Sequence, residues 1–338
     1  MKKVKWQLVL MMLAVVMVLA ACGSNSDDGA SEETETNDTS STDATTGDTF
    51  KIGITQLVEH PSLDAAREGF KTALKDAGIN AEYDEQLAQG DNSLNTTIAQ
   101  NLATSGADLI FANSTPSAQA ALAQTTEIPI VFTSVTDAVA AQLVQSMDAP
   151  GGNVTGTVDL HPETIDKTLA FIQELGATTV GMVYNAGEQN SVEQVKLVKE
   201  KAAALGITIV EASVSTSAEV KQAAESLVGK AEAFYIITDN TVVSALESVI
   251  DVANTNKLPL VVGELDSVAR GGLAAYGFEY YDIGYEAGEM AVKILKGEAT
   301  PAELPAQYPQ NLKLVINKSV ADALGLEIDE SWGAELLE

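Results

Sequence analysis

Cysteine is almost missing: Cys22 is the single one in 338 residues. No disulfide can staple the chain to itself, so stability must come from a large core. Histidine is nearly as scarce, with His60 and His161 alone. Neither has the close His or Cys spacing that a zinc site needs. Basic residues are few, 19 Lys and Arg against 48 Asp and Glu, for a net charge of −29. A surface of that sign repels phosphates, which excludes nucleic acid as a partner. Tryptophan occurs twice, as Trp6 and Trp332, so a binding cleft would lack the stacking platform that many sugar binders use. No Gly-x-x-x-x-Gly-Lys-Ser/Thr loop, no Gly-x-Gly-x-x-Gly after a strand and no Gly-x-Ser-x-Gly elbow is found. These absences argue against an enzyme; no catalytic residue, cofactor or metal is expected.

What is present begins with a basic stub, Lys2, Lys3 and Lys5, followed by an apolar run from Leu8 to Ala21. That order, with small residues before a cut site, makes a secretory signal over residues 1–21. The run is shorter than the roughly 20 apolar residues that span a bilayer comfortably. Leu19-Ala20-Ala21-Cys22 resembles the lipobox of bacterial lipoproteins. The resemblance implies cleavage before Cys22, diacylglycerol on its thiol and a further acyl chain such as palmitate. Two or more chains give a stable anchor, placing the protein on the extracytoplasmic face of the cell membrane. Loss of Lys2, Lys3 and Lys5 with the signal would take the net charge from −29 to −32. After Cys22, residues 23–49 are Ser, Thr, Asn, Asp, Glu and Gly, with only Ala30 and Ala44 apolar and no Lys or Arg. Residues 22–49 cannot bury enough surface to offset their ordering entropy and are expected to form a disordered acidic tether.

From Phe50 onward, short β-branched runs alternate with helical stretches. Strands are expected at 50–57, 108–113, 129–133, 179–185, 207–214, 234–238, 259–263 and 273–277. After the first, Pro61-Ser62 opens a helix whose Leu63, Ala66, Phe70, Ala73, Leu74 and Ala77 share a face. Several runs are apolar throughout, as a parallel sheet covered on both sides requires. The chain also repeats itself. Gly53 to Gly78 and Gly181 to Gly206 both span 25 residues, each from a strand to the glycine ending the next helix. Asn113-Ser114-Thr115 is matched by Asp239-Asn240-Thr241, and Ile128-Pro129-Ile130-Val131 by Leu258-Pro259-Leu260-Val261. Two similar α/β lobes follow, each a doubly wound parallel sheet.

In such sheets ligands sit beyond the carboxyl ends of the strands. There the first lobe offers Gln56, Glu59, His60, Asn113, Ser114, Thr115, Thr133, Ser134 and Asp137. The second offers Tyr184, Asn185, Glu188, Asn190, Ser191, Asp239, Asn240, Thr241 and Glu264. Two such edges facing each other make a cleft. Helix N-termini would supply N–H groups for a carboxylate, while Glu188 and Asp239 suit a cation such as an ammonium. His60 before Pro61 and Asp239 at a strand end could equally be helix caps. Glu59 and Glu264 are read as solvated, Tyr281 and Tyr285 as packing by their helical spacing, and His161 as lying near a crossover between lobes.

The runs Ile54-Thr55-Gln56-Leu57-Val58-Glu59-His60-Pro61-Ser62-Leu63-Asp64, Thr133 to Asp137, Gly151 to Gly156, Asp239-Asn240-Thr241 and Gly271 to Ala274 resemble one group: the ABC-transporter substrate-binding proteins that include the tryptophan and aromatic amino-acid binders. The resemblance covers nearly all of 50–328. It implies the type 1 periplasmic-binding fold, two lobes joined by a three-stranded hinge, with lobe 1 at 50–155 plus 273–300 and lobe 2 at 156–272 plus 301–338. By position it implies ligand contacts at Gln56, His60, Ser114, Thr115, Thr136, Asp137, Asn190, Ser191, Asp239 and Asn240. Two departures from the family pattern stand out: Ala138 where Pro usually follows Asp137, and Asn113 before Ser114-Thr115-Pro116. The expected function is a lipid-anchored, monomeric solute receptor serving an ABC permease and ATPase. The expected ligand is an amino acid, aromatic, held in the cleft by hinge closure. The alternatives are a sugar, nucleoside or other neutral solute, or a sensor role with a membrane kinase.

Overall fold

A computed structural model describes residues 49–338. The signal, Cys22 and all of the expected tether but Thr49 lie outside the described residues. In the first half, β1 (Phe50–Gln56), α1 (Pro61–Asp76), β2 (Ala81–Leu87), α2 (Asn92–Thr104), β3 (Leu109–Asn113), α3 (Thr115–Gln124), β4 (Ile130–Val135) and β5 (Val154–Val158) build one lobe. The second contains α4 (Thr164–Glu174), β6 (Thr179–Asn185), α5 (Gln189–Ala204), β7 (Thr208–Val214), α6 (Val220–Leu227), β8 (Ala233–Ile236), α7 (Asn240–Val243), α8 (Leu246–Asn256), β9 (Leu260–Val262), α9 (Leu265–Arg270) and β10 (Ala274–Gly277). Then come α10 (Tyr280–Leu295), β11 (Lys313–Asn317), α11 (Lys318–Leu324) and β12 (Glu335–Leu337).

The first sheet runs β2-β1-β3-β4-β5 and is parallel throughout. The second runs β12-β11-β10-β9-β8-β6-β7 and is parallel except where β10 meets β11. Strand side chains alternate between faces, so each sheet feeds two cores. Ile110, Ala112, Ile130 and Phe132 point to one side of the first sheet. Leu109, Phe111 and Val131 point to the other, with Ile52 and Ile54 beside them. In the second sheet Val180, Met182, Tyr235 and Val261 face one way, and Phe234, Ile236, Leu260 and Val262 the other.

The two lobes repeat the same winding: β2-β1-β3-β4-β5 corresponds to β7-β6-β8-β9-β10. The likeness reaches single hydrogen bonds. Asp108, just before β3, accepts the backbone N–H of Lys51 at 2.7 Å. Glu232, just before β8, accepts those of Thr178 and Thr179 at 2.7 and 3.0 Å. Each acid ties the start of its strand to the strand beside it.

Strand pairing moves the expected lobe boundaries. Ala274–Gly277 is hydrogen-bonded between β9 and β11, so β10 belongs to the second lobe rather than the first. The short turn at Gly271-Gly272 leaves the chain beside β9, where Leu273 donates to Leu260 O at 2.7 Å. β5 stays in the first sheet to Val158. After α10 the chain still clings to that lobe, because Ala306 donates to Met147 O and Gln307 to Gly156 O at 2.7 and 2.9 Å. The three crossings therefore fall near residues 159–163, 278–279 and 309–312, giving a three-stranded hinge.

Candidate functional site

The chain leaves nearly every strand at the same edge of its sheet and enters a helix there, so polar residues of both lobes gather at these tips. Four carboxyls are buried among them: Asp159, Glu188, Asp239 and Glu264 are 7%, 2%, 0% and 2% exposed. None is in an ion pair among the described residues.

Asp239 caps α7: its carboxylate accepts Val242 N at 2.8 Å and Asn185 N at 2.6 Å. Burial raises its pKa, the nearby Glu188 carboxylate adds to the rise, and the bond from Asn185 opposes it. Glu188 receives Asn240 Nδ2 at 2.6 Å, Thr241 Oγ1 at 2.7 Å and Thr241 N at 3.1 Å. This pair thus knits the β6–α5 and β8–α7 loops of the second lobe together. Asn190 donates weakly to Glu188 and Ser191 at 3.4 and 3.3 Å, while its Oδ1 has no partner.

On the first lobe, Gln56 is wholly occupied. Its amide hydrogens go to Val58 O and Asp64 Oδ1, both at 2.9 Å, and its oxygen accepts from Asn113 at 3.1 Å and Arg67 at 3.3 Å. His60 precedes α1, its Nδ1 facing Leu63 N at 3.5 Å. Burial, with Arg270 as a lesser cause, pushes its pKa down to about 3. Ser114 precedes α3 with a left-handed φ of 107° and makes no side-chain cap. The Thr115 hydroxyl accepts Thr136 N at 3.3 Å. Ser134 is likewise left-handed, at φ 55°, with an unpartnered hydroxyl. Strain of this kind gathers at ligand clamps. Asp137 is exposed and caps its own turn through Val139 N and Ala140 N, both at 2.9 Å.

Residues from both lobes line one small pocket: His60 and Leu63 from the first, Thr238, Asn240, Val243 and Glu264 from the second, and Tyr280 at the start of α10. Its volume is about 10 Å³, room for about one water. A groove of about 450 Å³ adjoins it at Asn240 and runs between Leu57, Val58 and the 89–92 turn on one side and 215–217 on the other. On the hinge side, Thr136, Asp137, Leu160 and His161 line a groove of about 170 Å³. Of the ten expected contacts, His60 and Asn240 thus reach the small pocket. Thr136 and Asp137 reach the hinge groove, and Gln56 and Asp239 are committed within their lobes.

Three residues escaped the sequence reading. Glu264, expected to be solvated, is buried by the apposed lobes. Asp159 and Tyr280 were not singled out as site residues. Asp159 directly follows the short strand β5; recognising that strand would have put an acid at its tip. Tyr280 donates to Asp159 Oδ2 at 2.7 Å.

Residues 51–335 match the sequence pattern of the family described as ABC transporter substrate binding protein. The chain is similar to a tyrosine-binding protein of Clostridioides difficile, 42% identical over 318 residues, covering 92% of this chain and 89% of the relative. A Streptococcus pneumoniae domain solved in complex with L-Trp superposes at TM-score 0.81 with 32% identity, over 86% of this chain and 100% of that one. The ligand-free, open structure of a substrate-binding protein with adhesive properties from Clostridium difficile gives 0.64 despite 42% identity, over 86% of this chain and 99% of that one. The poorer superposition on the more similar sequence is what a rotation between lobes produces.

Proposed function

The chain belongs to the ABC transporter substrate-binding proteins, and on that premise we propose that it captures an aromatic amino acid between its lobes for delivery to a permease and its ATPase. The observation that carries this reading is the pocket to which both lobes contribute, lined by the buried carboxyl of Glu264, which makes no ion pair among the described residues. A zwitterion with an ammonium group supplies the missing cation. The relatives that bind tyrosine or hold L-Trp point to the aromatic side chain. The ligand's carboxylate meets the N-terminus of α3 at Ser114 and Thr115, where backbone N–H groups and the helix dipole favour an anion. His60, Asn190, Ser191, Thr136 and Asn240 complete the lining once the lobes admit a molecule larger than a water. Closure is driven by the ligand, because a molecule shifts the balance only by binding the closed form better.

Isothermal titration of residues 50–338 with L-tyrosine, L-tryptophan and L-phenylalanine, beside glucose and adenosine, tests the reading. Saturable binding of at least one aromatic amino acid and no heat with the neutral solutes is expected. Binding of glucose or adenosine alone would overturn it.

We also propose that Cys22 carries the lipid anchor and that the receptor acts as a monomer at the membrane surface. Cys22→Ala in the full chain should abolish incorporation of labelled palmitate and release the protein from the membrane fraction. Palmitate label retained by that variant would refute the anchor.

A further inference from the structure

The four buried carboxyls are not equivalent in what they leave unbonded. Both oxygens of Asp239 accept backbone N–H groups of their own lobe, and both oxygens of Glu188 are engaged by Asn240 and Thr241. Glu264 differs. One oxygen is held by the Ser267 hydroxyl, while Oε2 is buried with no partner. Asp159 is similar: Oδ2 takes the Tyr280 hydroxyl at 2.7 Å and Oδ1 is buried with no well-aligned partner, though the Thr136 hydroxyl lies close enough to the carboxylate to act on it. Glu264 and Tyr280 line the same small pocket, Tyr280 donates to Asp159 at 2.7 Å, and Asp159 is close enough to Glu264 to raise its pKa. Glu264 comes from the tip of β9 in the second lobe; Asp159 stands where the chain begins its first crossing, still tied to the first lobe by its backbone N–H on Val135 O at 2.9 Å. Among the described residues Arg270 is the cation that acts on Glu264; its Nε and Nη2 are forked onto Glu247 at 2.8 and 2.9 Å, while its Nη1 is buried with no partner.

Resting on the reading of the protein as an amino-acid receptor, we propose that the ligand's ammonium group is bound by Glu264 and Asp159, with Tyr280 positioning Asp159, and not by Asp239 or Glu188. A carboxylate oxygen without a partner inside a protein is costly. An ammonium has three N–H donors to offer, enough to serve Glu264 Oε2 and Asp159 Oδ1 together. Because one acid belongs to the second lobe and the other is tied to the first, the same ammonium pins the lobes shut. Burial pushes the Glu264 carboxyl up to about 8 and that of Asp159 up to about 6, which a bound cation would reverse. The ligand class named by this site is a primary amine carrying an aromatic group.

The test compares L-tyrosine with 3-(4-hydroxyphenyl)propionate, the same molecule without its amine, by calorimetry at pH 8 on the wild type and on Glu264→Gln, Asp159→Asn and Asp239→Asn. The wild type should prefer tyrosine, and Glu264→Gln and Asp159→Asn should each cut that preference at least about 30-fold, the loss expected when one partner of a buried charged pair is removed. Asp239→Asn should leave the preference intact whatever it does to stability. Unliganded Glu264→Gln should also melt higher than the wild type at pH 8, since it removes a buried charge without a partner. A preference kept by Glu264→Gln but lost in Asp239→Asn would overturn the proposal while sparing the receptor reading. Failure of the wild type to bind tyrosine, tryptophan or phenylalanine would overturn both.

Discussion

At the tip of β1, Gln56 spends both amide hydrogens and both lone pairs inside the first lobe, on Val58, Asp64, Asn113 and Arg67. A side-chain amide has no further capacity, so its role is to join β1, β3 and α1. Gln56→Leu leaves polar partners buried and should cost about 1–3 kcal/mol, read as a shift in the urea midpoint. Affinity of the folded protein for its amino acid should change by less than about threefold, or about 0.65 kcal/mol. Glutamine at a strand end reads as a ligand contact or as a brace with equal ease, because one-dimensional spacing carries no hydrogen-bond partners. The same ambiguity attached to His60 and Asp239, and both do cap helices; His60 also lines the interlobe pocket. Glu264 was illegible for another reason. An acid after a three-residue strand has the pattern of a solvated turn, and only contact with the other lobe buries it.

The helix pair α1 and α10 shows the same limit at the level of elements. The face of α1 carrying Leu63, Ala66, Phe70, Ala73 and Leu74 is plain from its spacing, and all five are buried. Its partner, from the far end of the chain, is not. The two backbones meet at Gly69, Gly284 and Gly288; a Cβ on Gly284 would strike the carbonyl oxygen of Ala66, and one on Gly69 that of Tyr281. Gly284→Ala must push the helices apart and should destabilise by about 1–3 kcal/mol, although alanine is the better helix former. A melting temperature at or above that of the wild type would show that the contact yields freely. Among strands, the all-buried β3 and β4 and the mostly buried β6 were legible, whereas β2, β5, β11 and β12 were not. β2 (Ala-Glu-Tyr-Asp-Glu-Gln-Leu) is a largely exposed edge, and β5 holds a glycine within five residues. The repeat held a signal for β2 that periodicity did not: the legible β7 of the second lobe is its counterpart.

For the molecule as a whole, the argument concerns which shape protons favour. Glu264, at the contact between lobes, has its pKa raised to about 8 by burial, with Asp266 and Asp159 adding to the rise and Ser267 and Arg270 opposing it. Opened to solvent, it returns toward the ordinary value of about 4.3. The closed form therefore binds a proton that the open form has shed, and closure of the unliganded protein is favoured as pH falls below about 8. His60 works in the opposite sense. Burial lowers it from 6.5 to about 3, so acid below about 6.5 favours the open form, in which it can charge. Between about 6.5 and 8 His60 is neutral in both shapes; Asp239, raised to about 7, also titrates there, but both its oxygens are held within the second lobe, which leaves Glu264 as the group of the interlobe pocket that responds. Fluorescence transfer between one dye on α2 and one on α6 should show the unliganded closed fraction rising as pH drops from about 8 to about 6.5. Saturating amino acid should hold the lobes shut at both ends of that range, because its ammonium replaces the proton. In Glu264→Gln the unliganded response should flatten, since glutamine binds no proton in either shape. A pH response of undiminished size in that variant would place the proton elsewhere and break the link between closure and the charge of this one side chain.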